Sequence, residues 1–249
     1  MTDAFAKGMT YYTDEQRDLT PELDRFQFEL FRRYLGRRVL EVGGGGGRLT
    51  ELVAKEAAPE EFVSIEPSEH FYRILEARYP AAGPVRILQA TTAGVQDQFR
   101  EHFDSVFSVH VMEHIEDDRA FLEECLNMTR PGGAVIVLVP ALQFLYSDLD
   151  RGIGHYRRYD KPMMRRLAAG LDGTIEKLHY NNLLGVAASA YFIKFRKLDY
   201  QKNGESRSKF FRLYNLYSRY VVPVVAGMER LASPPVGLNL TLVLRKRAR

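Results

Sequence analysis

Five consecutive glycines, Gly43 to Gly47, constrain this chain more than any other stretch. They lie in RRVLEVGGGGGRLT, after a short apolar run that contains Glu41 and before LTELVAKEA, with Leu49, Leu52 and Val53 on one face. Glycine loses more conformational entropy on folding than any other residue, so such a run is costly unless the backbone must bend sharply or a ligand must come close. A flexible linker does not fit, because apolar elements flank the run on both sides. The pattern predicts a strand, a ligand-cradling turn and a helix.

Further strand and helix units follow. FVSIEP, Phe62 to Pro67, reads as a strand ending in Glu66, roughly 20 residues after the glycines. A carboxylate there can accept two hydrogen bonds from ribose hydroxyls. Strands are also predicted at Val85–Ala90, Phe103–Val109, the AVIVLVP run, Thr174–Asn182 and Asn239–Lys246. A helix with Leu23, Phe26, Phe28, Leu30, Phe31 and Tyr34 on its apolar face runs from Pro21 to Leu35 and stops at Gly36. Alternating strands and helices indicate an α/β fold, an open, Rossmann-like doubly wound sheet.

Composition narrows the field. A length of 249 residues suits one α/β domain, with a helical insertion over 183–232 before the last strand. The division expected is an N-terminal helical cover at 1–35, a core at 36–182, the insertion, and a last strand with a basic tail at 239–249. A single cysteine, Cys125, excludes an intramolecular disulfide, and no group of residues has metal-ligand spacing, so no metal is expected. The N-terminus shows no basic region followed by an apolar run. No apolar stretch approaches the ~20 residues of a membrane span. Both point to a cytoplasmic protein. A net charge of +3 is too small to imply a nucleic-acid partner.

The spacing Glu41-x-Gly43-x-Gly45-x-Gly47 resembles the first motif of class I S-adenosylmethionine-dependent methyltransferases. The competing dinucleotide fingerprint needs a third glycine where this chain has Arg48 or Leu49, depending on the register. The block FDSVFSVHVMEHIEDD…RPGGAVIVLVP is similar to the fourth and fifth motifs of the same class. It is similar to the small-molecule branch, since it lacks the Pro-Pro-aromatic turn of the branch that methylates nucleic-acid amino groups. The resemblance covers roughly Gly36 to Pro140. It implies a seven-stranded sheet with an antiparallel last strand, S-adenosylmethionine as donor and S-adenosylhomocysteine as product. Donor contacts are implied for Glu41, Gly43, Gly45, Gly47, Glu66, Pro67 and His110. The acid that such enzymes carry after the third strand, for the adenine amino group, is Thr91 here, a departure from the pattern.

The acceptor side is expected in the loop YSDLDRGIGHYRRYDK, which leaves the carboxyl end of the fifth strand. His155 is the candidate catalytic residue. A neutral imidazole can take a hydroxyl proton near neutral pH, and Asp148 or Asp150 could orient it. The alternative, that His155 pins the loop, stays open. Tyr12, His114, Tyr146, Asp148 and Tyr159 are the candidate substrate contacts. The pattern P…D…GHxRRY resembles a subset of bacterial methyltransferases associated with cell-surface glycans. This implies O-methylation of a sugar, glycolipid or other metabolite, with a small acceptor that is anionic or lipid-linked. Lys194, Arg196, Lys197, Lys209 and Arg212 lie among Phe and Tyr in the insertion. A peripheral membrane contact and a solvated lid both fit that composition. A nicotinamide-dependent oxidoreductase and a nonenzymatic donor-binding protein are the alternative functions. The oligomeric state is not legible.

Overall fold

The computed structural model describes residues 21–81, 83–191, 212–213 and 215–248. Tyr12 and the basic residues Lys194, Arg196, Lys197 and Lys209 lie outside them. Seven strands form one sheet: β1 Arg38–Val42, β2 Glu61–Ile65, β3 Arg86–Leu88, β4 Phe103–Val109, β5 Thr129–Pro140, β6 Gly173–Asn181 and β7 Asn239–Lys246. The order is β3-β2-β1-β4-β5-β7-β6. The neighbours from β3 to β5 pair in parallel, and β7 runs antiparallel to both β5 and β6.

Alternation along the strands builds two cores, one on each face of the sheet. Leu40, Val106, Val137 and Leu242 belong to one cluster, and Val39, Phe107, Ile136 and Val243 to the other. A sheet buried on both faces needs strands that read as continuous apolar runs. Residues 134–140 of β5 meet this, all of them buried.

Helix α1, Pro21–Phe31, lays Phe28 and Phe31 on the second face, with the Phe31 ring stacked 5.0 Å from Phe107. Its last expected residues form a separate 3-10 turn, Arg32–Tyr34. Helix α2, Arg48–Leu52, gives way to a π turn at Val53–Ala57 that ends on left-handed Ala58. Helices α3, Glu69–Arg78, and α4, Asp118–Met128, follow β2 and β4. Ser68 occupies the N-cap of α3, but its side chain makes no capping bond. Helix α5, Lys161–Ala168, is capped by Asp160 and precedes β6. Helices α6, Leu183–Ala190, and α7, Val222–Leu231, belong to the segment before β7. Among the described residues no helix is long and apolar enough to cross a membrane.

The strand order reverses between β1 and β4. Open α/β sheets bind ligands at the carboxyl ends of the strands beside such a switch point. The glycine run, Glu66 and His110 all sit there.

Candidate active site

Gly43, Gly45 and Gly47 have φ of 78°, 51° and 77°, the left-handed region that favours glycine. Their neighbours are of two kinds. A Cβ on Gly43 or Gly44 would run into Val111 or Ser64. A Cβ on Gly45 or Gly46 would meet no protein atom within 4 Å, because these two border open space. The loop is closely packed on its inner side and bare where a ligand would lie. Glu66 holds it in place. One carboxylate oxygen accepts the Gly45 N–H at 2.9 Å and the other accepts the Ser68 N–H at 2.9 Å. A carboxylate has about four acceptor sites, so capacity remains for ribose hydroxyls. Burial pushes the Glu66 carboxyl above its usual range, against the pull of these two bonds.

Parallel register places Ser64 of β2 beside Glu41 of β1. Glu41 is buried and accepts hydrogen bonds from Ser64 Oγ at 2.7 Å and Thr50 Oγ1 at 2.6 Å, which ties the strand to α2. Burial pushes its carboxyl up to about 7, while the two hydroxyls act in the opposite sense. A carboxyl raised in this way favours the folded chain when protonated. That contribution is complete below pH 4.5 and is lost as pH rises through about 7. Glu41→Gln should therefore gain stability relative to the native chain as pH rises across this window. Parallel curves of melting temperature against pH would contradict this.

A second polar group lies at the end of β4. His110 takes the unusual φ of 56° and contacts Gln27 of α1 through Nε2 at 3.0 Å. The 3-10 turn Met112–His114 then turns Glu113 inward, where it is fully buried. Glu113 Oε1 lies 3.3 Å from His110 Nδ1, close enough for an ion pair but not aligned as a hydrogen bond. The same oxygen lies 3.9 Å from His155 Nε2. Burial raises the Glu113 carboxyl, yet His110, His155 and His114 together hold it below the usual range. His114 packs edge to face on His155, with ring centroids 4.6 Å apart, and burial pushes it down to about 4.

His155 is oriented from the other side by Asp150, whose Oδ1 lies 3.0 Å from Nδ1. Arg158 donates to the same carboxylate from Nε at 2.8 Å and Nη2 at 3.1 Å. Against the effect of burial, these contacts hold Asp150 down to about 2. A capping box explains why Asp150 points inward. Ser147 caps the short helix Asp148–Gly152, and Asp150 bonds back to the Ser147 backbone N–H at 3.0 Å.

One cavity joins the two groups. It encloses about 1840 Å³, open solvent at its mouth included, and runs from Gly43–Gly46 past His110, Glu113 and His155 to Asn182, Tyr217 and Asn239. A smaller recess holds Glu66, Pro67 and Thr91 beside Gly43 and Gly45. The expected donor contacts are thus brought together, apart from Gly47. Its Cβ position faces Leu75 and Arg78, so it serves the turn itself. Thr91 already accepts the Gly94 N–H as an N-cap, at 3.2 Å.

Three expected substrate contacts are placed elsewhere. Asp148 is exposed and pairs with Arg151, so it is Asp150 that orients the histidine. Tyr146 donates its hydroxyl to the His155 carbonyl at 2.7 Å and so braces the loop. Tyr159 is fully buried, with its hydroxyl on Met112 O and Asp118, and is a core residue. Glu113, Arg158 and Gln27 were not anticipated, whereas Asp150 was one of the two aspartates expected to orient His155. A signal for Glu113 exists in Glu113-His114 beside His110, and the Ser147-x-x-Asp150 capping pattern favours Asp150 over Asp148.

Known proteins resemble this chain in sequence and in fold. Residues 40–137 match the family described as a methyltransferase domain. A ubiquinone biosynthesis O-methyltransferase of Rhizobium rhizogenes is 39% identical over 152 residues, 55% of this chain and 60% of that relative. The enzyme of the same description from Pseudomonas entomophila is 25% identical, over 51% of this chain and 60% of its own. The chain thus matches three fifths of these relatives' length. A SAM-dependent methyltransferase of Archaeoglobus fulgidus superposes with a TM-score of 0.60 at 16% identity, covering 91% of this chain and 95% of its own. An S-adenosylmethionine-dependent methyltransferase of Mesorhizobium loti gives 0.56 at 13%, covering 88% and 97%. Likeness at these identities carries the fold alone. Residues 40–137 thus match a methyltransferase domain, and they lie in a seven-stranded sheet of the same fold as S-adenosylmethionine-dependent methyltransferases.

Proposed function

We propose that the chain transfers a methyl group from S-adenosylmethionine to a hydroxyl of a small molecule, leaving S-adenosylhomocysteine. The observation that carries this reading is the single cavity joining the bare side of the glycine loop to the buried group around Glu113 and His155. S-adenosylmethionine supplies a methyl group already activated on a sulfonium. The chain's own part is to align the two reactants, exclude water and help the acceptor lose its proton. The glycine loop and Glu66 hold the donor. The group around Glu113, in which His155 is held by Asp150 and Arg158, acts on the hydroxyl.

The acceptor end of the cavity is mixed in character, with Leu238 beside Asn182, Tyr217 and Asn239. Beyond Tyr217, the segment through α7 exposes Tyr220, Val224, Met228 and Leu231. An acceptor with an apolar portion, such as a lipid-linked sugar or a phenol, suits these surroundings. The Rhizobium relative, described as acting in ubiquinone biosynthesis, supports O-methylation.

Calorimetry with S-adenosylmethionine and with NAD tests the donor assignment. Binding of the first and not the second is expected. Glu66→Ala should weaken donor binding by about 1–3 kcal/mol, the loss of a charged acceptor. Preference for NAD, or a Glu66→Ala variant of native affinity, would contradict the reading.

A further inference from the structure

Among the described residues, Glu113 is a buried carboxylate with no aligned hydrogen bond, and His110 Nδ1 stands 3.3 Å from its Oε1 as an unaligned ion-pair contact. The carboxylate is fully enclosed, and neither oxygen has a hydrogen-bond partner among the described residues. Buried ionised carboxylates are ordinarily paired, hydrogen-bonded or bound to a metal. The nearest groups are imidazoles. Glu113, His114 and His155 can each offer one ligand atom, and the three atoms lie within 4.8 Å of one another.

The orientation of His155 strengthens the argument. Its Nδ1 faces Asp150 Oδ1 at 3.0 Å, and Arg158 keeps that carboxylate ionised and fixed. The shared hydrogen is thereby assigned to Nδ1. Nε2, the other ring nitrogen, faces Glu113 Oε1, 3.9 Å away. In the neutral ring these are two acceptors facing each other, and a metal cation between them turns that repulsion into two bonds. A carboxylate that fixes the far nitrogen of an imidazole is the usual second layer of a metal site.

We propose that Glu113, His114 and His155 bind one divalent transition-metal cation, with His110 beside it. Two imidazoles and one carboxylate suit zinc, cobalt, manganese or ferrous iron and leave a position open for an acceptor oxygen. Ligands about 2.1 Å from a tetrahedral ion stand roughly 3.4 Å apart. Binding therefore draws the three atoms together by about an ångström, within reach of side-chain adjustment. The site shares its cavity with the glycine loop. An ion there would hold an acceptor hydroxyl beside the donor and favour its ionised form, the proton passing to solvent. Only this use of the ion rests on the proposed methyl transfer; binding itself does not.

The test uses tag-free full-length chain, stripped by chelator and titrated with Co²⁺ by calorimetry and by its ligand-field absorption. One cobalt per chain is expected. Glu113→Gln and His155→Ala should each weaken binding at least ~10-fold. His70→Ala, at an exposed position outside the group, should leave it unchanged. Binding of S-adenosylmethionine to the same variants checks their fold. Loss of cobalt with retention of donor supports the site. A native chain that binds cobalt but no donor defeats the methyltransferase reading and leaves the cation site standing. A native chain that binds no cobalt, or variants that bind it as the native chain does, overturns the proposal. Should a variant fail to fold, pulsed electron paramagnetic resonance of the Cu²⁺-loaded native chain decides. Nitrogen couplings from both imidazoles are expected, and fewer would overturn the assignment.

Discussion

Gly45→Val should abolish binding of S-adenosylmethionine while leaving a folded chain. Gly45 has φ of 51°, which a β-branched residue adopts only with strain, of about 1–2 kcal/mol. That is a small part of the ~5–15 kcal/mol stability of a typical domain. No protein atom lies within 4 Å of a Cβ built there, so the valine would project into the open space of the cavity. The loss falls on the ligand rather than on packing. Gly44→Val makes the contrast, because its Cβ would strike Ser64 and Leu75. That variant should lose stability first. Calorimetry with the donor and thermal melting separate the two cases. Native donor affinity in Gly45→Val would remove the glycine loop from the binding site.

His155→Ala should lower the rate of methyl transfer by roughly 10²-fold or more, the low end of what one group acting on a transferred proton contributes. Donor affinity should barely change, since the glycine loop and Glu66 do not depend on this side chain. The loop should also hold. Its backbone at His155 is fixed by the N–H to Asp150 O at 2.8 Å and by the carbonyl accepting the Tyr146 hydroxyl at 2.7 Å. Asp148→Ala, at an exposed residue paired only with Arg151 among the described contacts, should leave the rate unchanged. Single-turnover rates with saturating donor are the measurement. A His155→Ala variant with the native rate would make His155 a brace of the loop and nothing more.

The donor half of the site was legible because its constraints are local. Gly43 to Gly47 follow a strand directly, and Glu66 ends the next one, so chain order alone places them together. The acceptor half depends on contacts across the chain. Glu113 looks like a surface acid in HVMEHIEDD, and only the 3-10 turn at Met112–His114 directs it inward. Its meeting with His155 joins two loops that leave different strands. Asp148 and Asp150 are alike in the sequence until the Ser147 capping box fixes which of them faces His155. Tyr159 belongs to the same polar run as His155 but turns into the core, where Asp118 and Met112 O receive its hydroxyl. The absence of metal-ligand spacing was likewise a statement about local sequence. Glu113 and His114 are adjacent, but the third candidate ligand arrives from a separate loop.

The central claim is methyl transfer to a hydroxyl, and the fate of a labelled methyl group tests it most directly. The chain is incubated with methyl-labelled S-adenosylmethionine and a panel of phenols, nucleotide sugars and lipid-linked sugars. Each product is then examined by mass spectrometry. The account predicts that at least one acceptor gains the labelled methyl as an ether on oxygen, with one S-adenosylhomocysteine formed for each methyl transferred. Label found on nitrogen or carbon would contradict the hydroxyl assignment. Tight donor binding with no labelled product from any acceptor, in the presence or absence of a divalent cation, would contradict the claim of methyl transfer itself.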